Sequence, residues 1–574
     1  MTATGAGDEP ILLGGYAAKQ CPVRTQLDFG PAPLKWDPAP EDQARLDAGI
    51  KFEAEVFAEL VGLHPGAVVI DPGLTRDEAI SMTLRAMKTG SPLVLGGWLP
   101  DDTCGGRKGR PDILVRVDGG YLPADVKHHR SVEAKKTTTA QISELASPAS
   151  WREVKGWTSA TTYRFSDGMQ LAHYTRMLQA CGYHPGPDRM RGAVLGTSRL
   201  PGAGGESLVL VWHNLDEPLA FTFSRRRGKA RRSLMERYDH EHGFRIAVAT
   251  AARQEAAGTA AMVTPVRQPE CRSCPYARVC DAEMGATDAS NAMTVGTLDI
   301  REWLTLRRMG ITTLGQLASI DVDDPAFLSR YHPEVAYRGR DYARARLAEA
   351  SQRAAMLCSG VHIAHVGDGP VSVPSAEIEI DLDIEWGADG RVYLWGARVR
   401  NGQDESSAMF VPFAEWSRLD DSAERDLAER FAAWLRELRD QSGRSVRVFH
   451  WSAAEPSRLK KILGEAAGDL LDPATGVFTD LESVFKGQFF SVHGSSIKTV
   501  APYFGFTWRA SDAGGSMSQT RLDAVHDHGA DAEGARAWLL SYNADDTTAM
   551  AVIRDGMRNW TPARGAAPRR ADPA

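Results

Sequence analysis

At 574 residues the chain is too long for a single core, and about three or four domains are expected at roughly 100–200 residues each. Hydrophobic residues at 43% and charged residues at 25% belong to an ordinary water-soluble globular protein, which excludes a membrane or low-complexity chain. The formal net charge of −7 gives no bulk attraction for nucleic acid, so any such contact must come from local patches.

The start, MTATGAGDEPILLGGYAAKQ, has no basic stretch leading into an apolar one, so no secretory signal is expected and the chain is placed in the cytoplasm. Seven cysteines, an odd and small number, argue against a disulfide framework and for metal or reactive roles. An amphipathic helix is expected over 42–63. Strand-like runs follow at 68–71, 92–97, 112–117 and 121–128, then a helix from about 167 to 180. A hairpin is expected around 192–213, where AVLGTS and SLVLVW flank LPGAGG. SRRRGKARRSLMERY then reads as the entry to a long helix. The alternation of helix and strand predicts an α/β domain.

GATDASNAMT at 285–294 reads as a linker. LDIREWLTLRRMGITTLGQLASI at 298–320 reads as two helices around a GIT turn, either an ordinary connector or a helix-hairpin-helix element gripping a DNA backbone through the turn amides. Strands and helices resume past Pro374 and run to about Met557, and the Pro/Ala/Arg-rich tail is expected to be disordered. The chain has no G-x-x-x-x-G-K-[ST] and hence no visible ATPase motor.

Asp112 opens one strand, and Asp125 and Lys127 lie two residues apart on the next, so their side chains share a face. A surface ion pair on an edge strand gives the same D-x-K pattern. Carboxylates that hold Mg²⁺ or Mn²⁺ beside a lysine that orients water are also what phosphodiester cleavage requires. Glu53 on the upstream helix can reach the same ion. Gln170 and Tyr174, at i and i+4, share a helical face and can touch a DNA strand. In order, G-x3-E, P-D, D-x-K and Q-x3-Y resemble the RecB-type nucleases of the PD-(D/E)XK superfamily.

Cys271, Cys274 and Cys280 have the spacing C-x2-C-x5-C, which alone suits zinc or an iron–sulfur cluster and leans to zinc. In the branch of the family containing the CRISPR-associated RecB-type exonucleases and AddB, a fourth cysteine lies far upstream. The resemblance makes it Cys21, 250 residues before Cys271, and implies a [4Fe–4S] cluster that closes the domain, with zinc as the alternative. Cys104, Cys181 and Cys358 are left as ordinary residues.

EIEIDLDIEW at 377–386 alternates without a break and puts Glu377, Glu379, Asp381, Asp383 and Glu385 on one face. Mutual repulsion excludes that face from the core, which leaves a solvated edge strand or a metal site. Asp383 and Glu385 as D-x-E, with Tyr542 and Asp546 as Y-x3-D, resemble RNase H-like exonucleases of the DnaQ type. That resemblance implies two metal ions on Asp383, Glu385 and Asp546, with Tyr542 orienting the nucleophile. Glu455 stands where that family has Asp, and Asp480 is a second candidate for the same role.

The expectation is therefore a RecB-like nuclease domain over 1–284, a helical connector over 285–372, an RNase H-like domain over 373–560 and a tail over 561–574. The substrate expected is DNA, as single strands or ends, in repair, recombination or defence. The alternative is a non-catalytic iron–sulfur scaffold that holds DNA for a separate helicase. SRRRGKARR offers six basic residues, either as phosphate contacts or as a solvated face. His128 and His129 point to opposite faces and are not expected to act together.

Overall fold

The computed structural model describes residues 9–31, 35–202, 205–254, 261–293, 298–367, 369–474, 476–510, 514–527 and 531–561, so the tail lies outside the described residues. The chain forms two compact units. One comprises Met1–Val266, Glu270–Gly285 and Pro333–Gly339; the other comprises Arg267–Pro269, Ala286–His332 and Arg340–Ala574. Each combines helices with a mixed sheet, making the protein an α/β multidomain chain.

The first unit is built on eight strands in the order Val68–Val69, Leu93–Leu95, Ile113–Val117, Gly120–Val126, Arg191–Gly202, Gly205–Asn214, Val132–Glu144 and Arg152–Ser159. The Gly120–Val126 strand pairs antiparallel with Ile113–Val117 and parallel with Arg191–Gly202, which puts it inside the sheet. Period-two alternation gives the sheet two apolar faces. Leu93, Leu95, Ile113, Val115, Leu122 and Ala124 pack under Val56 and Leu60 of the Pro40–Leu63 helix. Val94, Leu114 and Tyr121 pack under Tyr174, Met177 and Leu178 of the Thr161–Ala180 helix.

Two expectations for this unit change. SRRRGKARR does not enter a helix: it forms the turn and second strand of a hairpin, Ala220–Ser224 with Gly228–Arg232, and the helix begins at Leu234. Gly228, at φ +67°, permits the tight turn that the basic run itself does not signal. The strands Val132–Glu144 and Arg152–Ser159 have no counterpart in the expected elements.

The second unit carries five strands in the order Asp404–Ala414, Val392–Asn401, Ile378–Trp386, Val446–His450 and Phe478–Asp480, with the last two parallel to the Ile378–Trp386 strand. Ile378, Ile380, Leu382 and Ile384 pack against Leu427, Phe431 and Leu435 of the Asp421–Gln441 helix. The opposite, acidic face was expected to stay out of the core, as a solvated edge or a metal site. It is central and covered by the Ala532–Arg558 helix, with Glu379 and Asp381 at 0% exposure. Arginines neutralise it: Arg554 Nε lies 3.1 Å and Arg558 Nη2 2.6 Å from Glu379, while Arg554 also pairs with Asp381. Repulsion between like charges is relieved by cations from the facing helix.

The stretch expected as a linker is packed, with Asp288, Ala289, Ser290 and Ala292 buried. The helices Ile300–Arg308 and Leu314–Ala318 do flank a turn. Its amides are already used: Gly310 N–H donates to Arg307 O, Ile311 to Leu306 O, and Thr312 and Thr313 to Gln316 Oε1. These four donors are thus satisfied within the chain.

Candidate active sites

In the first unit Asp112 immediately precedes its strand, and Asp125 stands one residue before the end of the next. Asp112 Oδ2 accepts the Val126 N–H at 2.7 Å, fixing the two carboxylates beside each other. Asp125 is 1% exposed and neither of its oxygens accepts a well-formed hydrogen bond; Lys127 supplies its ion-pair partner. A buried carboxylate beside Asp112 and Lys127 suits a divalent-cation ligand. Burial, reinforced by Asp125, holds the Asp112 carboxyl well above its usual range. Burial opposes the Lys127 charge, but Asp125, Tyr16 and Asp112 outweigh it and raise its pKa. Glu53 is near enough to add to the charge on Asp112, although its carboxylate is engaged by Arg110 Nη2 at 3.1 Å.

Gln170 and Tyr174 are buried and joined by a 3.1 Å hydrogen bond from Gln170 Nε2 to Tyr174 Oη. Lys19, absent from the sequence expectation, donates to Gln170 Oε1 at 3.0 Å, and burial, with Lys127 next, lowers its pKa to about 8. His129 lies 3.2 Å from Asp167 and stacks on Tyr163, while His128 packs near Phe52, so the two side chains have different surroundings. Lys19 and Tyr16 had no legible signal, because only folding brings residues 16–19 to the D-x-K strand.

The four cysteines meet in this unit. Cys21 caps the Pro22–Phe29 helix, and its N–H donates to both Glu270 oxygens at 3.1 and 3.0 Å, tying the N-terminal segment to the Cys271 turn. Burial, then Cys21, Cys271 and Cys274, push the Cys280 thiol up to about 12. Burial, with Glu270 and Cys271 adding to it, also raises the Cys21 thiol, and a cationic core would hold such sulfurs as thiolates.

In the second unit Asp383, Glu385 and Asp546 offer ligand atoms all within 4.8 Å of one another. The first two come from the Ile378–Trp386 strand and Asp546 from the Ala532–Arg558 helix, one turn after Tyr542. Asn543 Nδ2 donates to Asp383 Oδ2 at 2.7 Å, and Ser518 Oγ donates to Glu385 Oε2 at 2.7 Å. Burial, then Asp546, Glu385 and Glu455, drive the Asp383 carboxyl well above its usual range. Burial, opposed by the Ser518 hydrogen bond and reinforced by Asp546, pushes Glu385 up to about 8.

Glu455 sits in the first turn of the Ala454–Leu463 helix, buried, with Oε2 accepting no hydrogen bond; burial, then Asp480, push it up to about 8. His450 Nδ1 is 3.6 Å from that oxygen and bonds instead to Ser452 O. Ser452 holds φ +86°, a left-handed strain between the strand and the acid. Asp480 caps the Leu481–Gln488 helix through Ser483 N and Oγ, so between the two candidates Glu455 is the acid facing the cluster. Burial and the neighbouring carboxylates raise the Tyr542 pKa. Lys498 and Trp508, also unforeseen, both reach Asp546.

Among the described residues no helix is long and apolar enough to cross a membrane. No protein-family profile, curated protein or solved structure matches the chain.

Proposed function

We propose that the chain is a metal-dependent DNA nuclease with two carboxylate sites, one RecB-like of the PD-(D/E)XK kind and one RNase H-like of the DnaQ kind. The observation that carries the reading is the crowding of Asp383, Glu385 and Asp546 within 4.8 Å in a buried setting. Three carboxylates so placed repel one another, and burial, reinforced by the neighbouring carboxylates, raises the pKa values of Asp383 and Glu385, a penalty that a divalent cation would offset. Asp112 and Asp125, with Glu53 at the margin, make a second and looser set.

Mg²⁺ or Mn²⁺ held on these carboxylates supplies Lewis-acid polarisation of a phosphate and a more acidic water. The chain's own groups do the rest. Lys127, paired with Asp125, is a charged donor that orients water and steadies developing phosphate charge. Gln170 and Tyr174, buried and hydrogen-bonded to each other beside that site, are the residues the resemblance assigns to the DNA strand. Tyr542, one helical turn before Asp546, orients the nucleophile at the second site. Glu455 adds a fourth acid there. The resemblance implies 5′→3′ exonuclease action at the first site and 3′→5′ at the second, on single strands or ends.

Cys21, Cys271, Cys274 and Cys280 would hold a [4Fe–4S] cluster as a structural staple. The all-sulfur donor set suits it. Zinc on the same four sulfurs is the alternative.

Release of acid-soluble nucleotides from single-stranded DNA with Mg²⁺ or Mn²⁺ tests the function. Release that stops with EDTA supports the nuclease. Tight DNA binding with no release under any divalent ion would favour the scaffold instead.

A further inference from the structure

The Ala220–Ser224 and Gly228–Arg232 hairpin places Phe221 opposite Arg231 and Phe223 opposite Lys229. Residues at i and i+2, and their direct cross-strand partners, share a face. One face of the hairpin therefore carries two phenylalanines and two cations. Phe223 is used internally: its ring centroid is 5.1 Å from that of Tyr337, and Arg225 Nη1 lies 3.1 Å from Glu334 Oε1, which together fasten the hairpin to the 333–339 segment of the same unit. Phe221 is 60% exposed, with Lys229 Nζ 4.9 Å and the Arg231 guanidinium 4.6 Å from its ring centroid.

A hairpin of two short strands buries little, so an exposed aromatic on it adds little to the fold. An aromatic face between two cations does match a single-stranded nucleic acid, whose bases stack on rings while phosphates follow the charges. A duplex keeps its bases inside and offers no such face. Arg226 and Arg227 at the turn extend the positive strip on a chain whose net charge is −7. We propose that this hairpin face is a single-strand nucleic-acid platform, on which a base stacks against Phe221 while Lys229 and Arg231 take the flanking phosphates.

The platform is tested without hydrolysis. The full chain in EDTA is titrated against labelled oligothymidylate and an abasic oligonucleotide of equal length, over a range of salt. Wild type is expected to prefer oligothymidylate. Phe221→Ala and Phe221→Leu should weaken that binding by roughly 5- to 100-fold and barely change binding of the abasic strand. Lys229→Ala and Arg231→Ala should each lower the salt slope by about 0.7. Equal binding of the two strands by wild type, or unchanged preference in both Phe221 variants, would overturn the platform and leave only polyanion attraction. Preference for duplex or for an acidic protein over the single strand would overturn it as well. Because the chelator stops hydrolysis in every arm, these outcomes are independent of whether the carboxylate sites are active.

Discussion

Lys498 Nζ lies 2.5 Å from Asp546 Oδ1, the oxygen that also accepts the Trp508 indole N–H at 2.6 Å. The ammonium also stands 4.3 Å from the centroid of the Tyr542 ring. A divalent ion held on Asp383, Glu385 and Asp546 would compete with a resident cation for the Asp546 carboxylate. Lys498→Met is therefore expected to lower the Mn²⁺ concentration needed for half-saturation by roughly ten-fold, about 1.4 kcal/mol. Titration calorimetry in an Asp125→Asn background isolates the second site. An unchanged or weaker Mn²⁺ affinity would show that Lys498 does not compete there.

Iron analysis reads the cysteines. Anaerobically purified protein should hold about four iron atoms per chain with matching sulfide. Cys280→Ser should lose most of both and lower the thermal midpoint, because the group closes the link from Cys21 to the 271–280 turn. Zinc at about one per chain without iron would replace the cluster and leave the nuclease reading in place.

The buried charge network fixes another outcome. Arg554 pairs with Glu379 and Asp381, all three at 0% exposure, and Arg558 adds a second cation to Glu379. Arg554→Met leaves Asp381 with Arg398 at 3.9 Å and should destabilise the second unit by roughly 3–5 kcal/mol. Arg554→Met with Asp381→Leu should recover much of that loss, since the uncompensated charge is gone. Urea midpoints measure both. A single variant as stable as wild type would mean that the network contributes nothing.

This network marks the limit of what the sequence shows. The D-x-K pair was legible because strand period two needs only three residues. The cysteines were legible because three of them fall within ten positions. The neutralised acidic face was not, because Arg554 follows Asp381 by 173 residues. The Val132–Glu144 strand was missed for a local reason: KKTTT at its centre is polar throughout and carries no alternation. Lys19 and Lys498 are single lysines without motif spacing, and only the fold brings them to the carboxylates. Asn543 was hidden beside the stronger signal of Tyr542 and Asp546.

Acid should weaken the first unit. His213 is buried in the Gly205–Asn214 strand, and burial, with Arg164, lowers its pKa from 6.5 to about 4. The unfolded chain binds this proton first, so the stability is whole above pH 6.5 and is lost as pH falls toward 4. Between about pH 7.5 and about pH 5.5 this one group costs about 1.4 kcal/mol. Denaturation of wild type and His213→Gln at both values should show the variant losing less by about that amount. Equal losses would mean that His213 is already solvated in the folded state.

The most direct test of the two-site claim is label release from 5′- and 3′-labelled single-stranded DNA, with Mg²⁺ or Mn²⁺, by wild type, Lys127→Ala, Asp383→Asn and the double variant. The account predicts that Lys127→Ala lowers release from the 5′ end by roughly 10²–10³-fold, that Asp383→Asn does the same at the 3′ end, and that the double variant releases neither. Release by the double variant equal to that of wild type would contradict both sites at once.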